Sequence, residues 1–180
     1  MPDRLYFTDS DEANELIASD PMALLIGFAL DQQVTVQQAF LGPLRICERL
    51  GSLAPARLAA TDLETVFRQK PAIHRFPAKM AQRVEALAAH VRDEYGGEAG
   101  RVWGEAPDAE TLRSNITALP GFGEMKVKAL GSVLAKRFGV DAAQGLIPNH
   151  PTLGDVDSNE ARERYQAQKR AYKRARRASA

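Results

Sequence analysis

The chain has 180 residues, 44% hydrophobic and 26% charged, a balance that excludes a disordered segment and supports one sizeable core without a metal or disulfide framework. The longest apolar run, Met22 to Leu30, is too short to span a bilayer, and the first residues are acidic where a secretory leader would be basic, so a cytoplasmic protein without membrane partners is expected. The formal net charge of +1 conceals a segregated block: Ala161 to Ala180 carries eight basic residues against the single acid Glu163, or +7, and the rest of the chain carries −6.

Alternating apolar and polar strand patterns are nearly absent, whereas helix start and stop signals recur, so the fold class expected is all-α. A first helix starts at Ser10 or Asp11. A second follows Asp20, whose carboxylate can cap the free amides while Pro21 takes the first helical position. This second helix is apolar all round and therefore buried, so Asp31, Gln32 and Gln33 at its end are delivered to an interior or a cleft. A third helix runs from about Thr35 to Leu50 and stops at Gly51, with Pro43 as a kink or break. Cys47 lies between Leu44 and Leu50 at helical spacing and reads as a small buried hydrophobe; alone, it excludes an intrachain disulfide or a four-cysteine cluster.

Thr61 with Glu64 forms a capping-box pattern that opens a short helix to about Gln69. From Phe76 to Tyr95, Met80, Val84, Leu87, Ala88 and Val91 recur at three- and four-residue spacing before Gly96 and Gly97 end the helix. Asp108 opens a helix through Ala118, and Glu124 to Phe138 form the next. Gly139 to Gly154 is expected to be a loop, after which Ser158 or Asp157 caps a last, basic helix to about Arg177. All 180 residues are assigned to one domain, with a helix-hairpin-helix at about 108–139 and the basic helix at about 158–177.

The five residues Leu119-Pro120-Gly121-Phe122-Gly123 join two amphipathic helices, and the glycines permit the positive-φ turn that reverses the chain. Immediately after them, the amides of Gly123, Glu124 and Met125 belong to a helix's first turn and lack intrahelical acceptors. Together with the helix dipole they can hold an anion, and bare glycines let a phosphate approach the backbone; Lys126 and Lys128 lie alongside. A Gly-X-Gly turn by itself is equally compatible with a simple helix connection.

The stretch Leu119 to Gly139 strongly resembles the hairpin and second helix of the HhH-GPD superfamily of DNA glycosylases. The resemblance extends to Leu24–Gly51, where Asp31-Gln32-Gln33-Val34-Thr35 is similar to those enzymes' polar turn at the cleft, and to Ala78–Val84, similar to the helix before the hairpin. It implies a two-lobed helical fold without an iron-sulfur cluster, and a base-excision repair enzyme that hydrolyses the N-glycosidic bond of a damaged base flipped out of double-stranded DNA. By position Gln33 matches the family's wedge glutamine, with Gln32 and Asp31 facing the pocket or its rim. The hairpin residues Leu119, Gly121, Phe122, Gly123, Glu124, Met125, Lys126 and Lys128 would face the DNA backbone. No cofactor is implied, save a monovalent cation that the hairpin could hold on DNA, and no protein metal site; a monomer fits this mode of action.

The catalytic aspartate departs from the family pattern. It should follow the hairpin's second helix closely, near Leu146, but a longer loop intervenes before Gly154-Asp155-Val156-Asp157-Ser158. Asp155 is the first choice, Asp157 the second because it suits capping better, and Asp141 the third. Family members that also cut the strand carry a lysine two residues past the second glycine, where this chain has Met125. Lys126 is one residue on, about 100° around the helix, so base removal without strand cleavage is expected. His74, His90 and His150 are scattered without ligand spacing, and Trp103 reads as core. Two other readings stand beside the enzyme: a non-catalytic helix-hairpin-helix module that grips DNA, and a helical adaptor whose basic tail binds protein.

Overall fold

The computed structural model describes residues 1–180, which form ten α-helices and no strand. Helix α1 (Asp11–Ser19) starts where the Ser10 hydroxyl accepts the Ala13 amide, and α2 (Pro21–Leu30) where Asp20 accepts the amides of Met22 and Ala23. These caps satisfy amides that have no partner within the helix. In α2 every residue from Met22 to Leu30 is buried, as its all-round apolar surface requires. Helix α3 (Val36–Leu50), capped by Thr35, packs along α1 and α2; Pro43 sits inside it without dividing it, and Gly51 ends it in the left-handed conformation.

Two short helices follow, α4 (Pro55–Ala59) and α5 (Leu63–Arg68), both packed on the long α6 (Pro77–Tyr95). The cap of α5 is Asp62, which accepts the Glu64 amide, and not Thr61, whose hydroxyl donates backwards to the Arg57 carbonyl. With α4 present, Thr61 is drawn into the end of the preceding helix. After the single-turn α7 (Arg101–Gly104) come α8 (Ala109–Thr117), capped by Asp108, and α9 (Glu124–Arg137). Asn115 of α8 donates to the Val102 carbonyl, tying α7 to the hairpin.

The segment expected to be a plain loop contains two 3-10 turns, Asp141–Leu146 and Leu153–Asp155, both packed against α9. Their apolar residues Ala143, Leu146, Leu153 and Val156 complete the core around that helix, so hydrophobic burial orders a stretch whose glycines and prolines preclude a regular helix. Helix α10 (Asn159–Ala178) then starts at the Ser158 cap. Its first turns are anchored by the buried Arg162, whose guanidinium donates to the carbonyls of Tyr6 and Thr8 and pairs with Asp9. One turn on, Gln166 and Gln37 of α3 exchange amide hydrogen bonds. Beyond Gln166 every residue of α10 is exposed.

The second 3-10 turn approaches α9 so closely that it requires a glycine. A Cβ on Gly154 would lie 2.6 Å from the carbonyl oxygen of Ser132, a backbone atom in a helix that cannot yield. Gly154→Ala should therefore destabilise the fold by about 1–3 kcal/mol, the usual range for overpacking, as a fall in the urea midpoint. Unchanged stability would show that the turn is free to separate from α9.

Candidate nucleic-acid interface

The site is organised around the C-terminal end of α2. A buried helix end leaves carbonyls that water cannot reach, and each needs a donor from elsewhere. Here the Asp31 amide donates to the Phe28 carbonyl, and Lys126 Nζ of α9 donates to the Ala29 carbonyl at 3.3 Å. His74 Nε2 lies 3.1 Å from both the Leu30 and the Gln32 carbonyl, and its Nδ1 accepts the Phe76 amide. Since carbonyls only accept, the proton must be on Nε2, and the ring works as a neutral clamp on the polar turn. Burial holds His74 below the ordinary histidine value.

Clamped in this way, the turn presents its two glutamines differently. The Gln32 carboxamide oxygen accepts from Arg83 of α6 at 2.6 Å, whereas Gln33 is exposed and holds φ at +57°, the only non-glycine residue at positive φ. Arg83 also packs on the hairpin: a Cβ on Gly121, itself at φ +84°, would lie 2.7 Å from Arg83 Cδ and Nε. One side chain thus bridges the polar turn and the hairpin. Its sequence context, a lysine- and arginine-bearing amphipathic helix, contains no signal for that role.

The hairpin is pinned from beneath by Leu119 and Phe122, whose side chains are buried, so only their backbone can face a ligand. Across it Arg113 of α8 pairs with Glu124 of α9 at 2.5 Å, which holds the Glu124 carboxyl below its usual value. No side chain caps α9, and the amides of Gly123, Glu124, Met125 and Lys126 have no acceptor in the protein. A Cβ on Gly123 would meet nothing within 4 Å, so the space above these amides is open. Lys128 is half-buried on the same helix.

The expectation that Lys126 turns away from the cleft is corrected by the structure. Met125 is 86% exposed, while Lys126 reaches back over the Phe122 ring to the end of α2. The orphan Ala29 carbonyl and the buried surroundings hold the amine there. Burial, reinforced by the Arg83 guanidinium and opposed by Asp31, pushes its pKa down to about 8. Asp31 is the complementary group: burial raises its carboxyl above the ordinary value, and Lys169, Lys126 and Lys173 partly counter that.

The sequence-nominated aspartates separate. Asp155 ends the second 3-10 turn, where one oxygen accepts the Thr152 amide and the other accepts Lys136 Nζ at 2.5 Å. Burial alone would raise its carboxyl, but Lys136 and the Thr152 amide outweigh burial and hold it below the ordinary value, hence ionised. It lines a cavity of about 540 Å³ with His150 and Tyr165. Asp157 is exposed, lines neither this cavity nor the adjoining one, and is not the α10 cap, a role taken by Ser158. Asp141 is exposed at the start of the first 3-10 turn. Tyr165 of α10 lies between Asp31 and Asp155, and burial with those two carboxylates pushes its phenol up to about 12.

No cluster of three or more His, Cys, Asp and Glu side chains converges on a common point, and no single helix is long and apolar enough to cross a membrane. Searches against family models, curated proteins and solved structures find no match for this chain.

The His74 clamp has a pH consequence. Its folded pKa lies below the unfolded value of 6.5, so the unfolded chain takes up a proton first as the solution is acidified. The stability His74 contributes is present above pH 6.5 and should fall progressively below it, because protonating Nδ1 destroys the acceptor for the Phe76 amide. Urea midpoints compared at neutral and mildly acidic pH should show this loss in the wild-type protein and a smaller one in His74→Gln. Equal losses would contradict the clamp.

Proposed function

We propose that the protein is a DNA glycosylase of base-excision repair, with a two-lobed HhH-GPD-like fold, acting on a damaged base flipped out of double-stranded DNA. The observation that carries this reading is the convergence at one cleft of four free hairpin amides, the half-buried amine of Lys126 and the polar turn Asp31-Gln32-Gln33. Free amides under open space suit a backbone phosphate, which would position DNA without reading its sequence. The exposed Gln33, held in a left-handed conformation that ordinarily costs of order 1 kcal/mol, suits a wedge that fills the vacated stack.

For the chemistry, departure of a base leaves positive charge on the sugar, and an ionised carboxylate at the cleft stabilises it. Asp155 meets that requirement best among the nominated aspartates, since it lines a cavity and is held ionised. A second reading is favoured by Lys126. An amine whose pKa is about 8 is partly neutral near physiological pH and can attack the C1′ aldehyde of an abasic site; loss of water from the adduct gives an iminium that labilises the 3′-phosphate. Base removal followed by strand cleavage is then available to the same cleft.

The test is incubation with duplexes bearing uracil, hypoxanthine, alkylated purines or oxidised guanine, followed by alkali to break abasic sites. Strand breaks with at least one of these substrates, reduced about 100-fold or more in Asp155→Asn, are the expected result. Borohydride added to an abasic duplex distinguishes the second reading: a covalent adduct that grows with pH up to about 8 and is lost in Lys126→Ala but kept in Met125→Ala supports lyase chemistry. Tight duplex binding with no break on any substrate would replace the enzyme by a DNA-gripping module.

A further inference from the structure

The outer half of α10 has no structural explanation within the fold. From Ala167 to Ala178 every residue is exposed, so this length of helix leaves the body without packing against it. It carries Lys169, Arg170, Lys173, Arg174, Arg176 and Arg177 and no acid. Three like-charged pairs fall at i,i+4 spacing, Lys169 with Lys173, Arg170 with Arg174 and Lys173 with Arg177, and each works against the helix. A polyanion laid along the arm removes that repulsion, which gives the charge pattern a specific complement.

The arm is also aromatic where a phosphate-binding helix need not be. Tyr172 is 64% exposed, and across a cavity of about 930 Å³ it shares the walls with the exposed Met125 and with Tyr165, Lys169, Lys173 and Arg176. Lys169 Nζ stands 5.9 Å from the Tyr165 ring and the Arg176 guanidinium 5.9 Å from the Tyr172 ring, so each ring has a cation beside it. Flat apolar surface flanked by cations matches a nucleotide whose base face is free and whose phosphate is nearby. Duplex bases hide their faces in the stack and cannot use these rings. The cavity opens beside Met125, in the first turn of α9, where the hairpin's free amides lie.

We propose that the projecting half of α10 and Met125 form a groove for an unpaired stretch of DNA strand adjoining the duplex held at the hairpin. The inference rests on the DNA reading above and extends it from an intact duplex to one with a single-stranded flank.

Fluorescence anisotropy of the full chain tests it with a blunt duplex and with the same duplex bearing a single-stranded thymidine tail, each over a salt series. The tailed duplex should bind about five- to a hundredfold more tightly. Tyr172→Ala should abolish that advantage and leave blunt-duplex affinity unchanged, Tyr172→Phe should retain it, and the double variant Lys169→Ser/Lys173→Ser should lower the tailed duplex's salt slope by about one. Because all three positions are exposed on α10, the substitutions do not touch the core. A tail that adds nothing, or Tyr172→Ala losses equal on both probes, overturns the inference while blunt-duplex binding leaves the repair reading standing. Failure to bind either DNA overturns both. Binding to phosphatidylserine vesicles in place of the tailed duplex, lost in Tyr172→Ala, overturns the inference and assigns the arm to a membrane surface.

Discussion

The buried end of α2 is the constraint from which the rest of the site follows. A helix enclosed on all sides cannot expose its last carbonyls to water, and the free energy of an unpaired buried carbonyl is comparable to that of a lost hydrogen bond. The fold answers with donors from distant parts of the chain, His74 from the loop before α6 and Lys126 from α9. Satisfying α2 therefore brings the polar turn, the hairpin and α6 to one place. Arg83 completes the arrangement by bonding Gln32 while packing on Gly121.

This arrangement is achieved at some expense to stability. An ammonium held in a half-buried cleft, a carboxyl raised by burial at Asp31 and a glutamine at positive φ are each unfavourable in isolation. Their concentration at one end of one helix, rather than their dispersal over the fold, is the pattern expected of groups kept for chemistry. The paired Arg162 makes the contrast: it is buried too, but its guanidinium is spent on Tyr6, Thr8 and Asp9 and does nothing except hold α10.

Helix starts were legible because caps are local: Ser10, Asp20, Thr35, Asp108 and Ser158 each accept a first-turn amide two or three residues on. The exposure of Gln33 and the delivery of Asp31 to a half-buried position follow from the apolar character of α2 alone. What depended on tertiary contact was illegible. Thr61 lost its capping role to Asp62 because α4 precedes it, and two 3-10 turns form after Gly139 because α9 needs their apolar residues. Lys126 could be placed only by knowing which carbonyl lacked a donor 97 residues earlier. Arg83 and His74 escaped for the same reason, since an arginine on an amphipathic helix and a lone histidine carry no mark of the groups they will reach.

The placement of Lys126 is the claim on which the cleft stands, and its titration tests it most directly. Carbon-13 NMR of lysine-labelled protein, assigned through Lys126→Met, should give a midpoint near 8 for this side chain, moving lower in Asp31→Asn as the opposing charge is removed. A Lys126 that titrates near the ordinary lysine value of 10.5 and ignores Asp31 would place the amine in solvent and contradict the account.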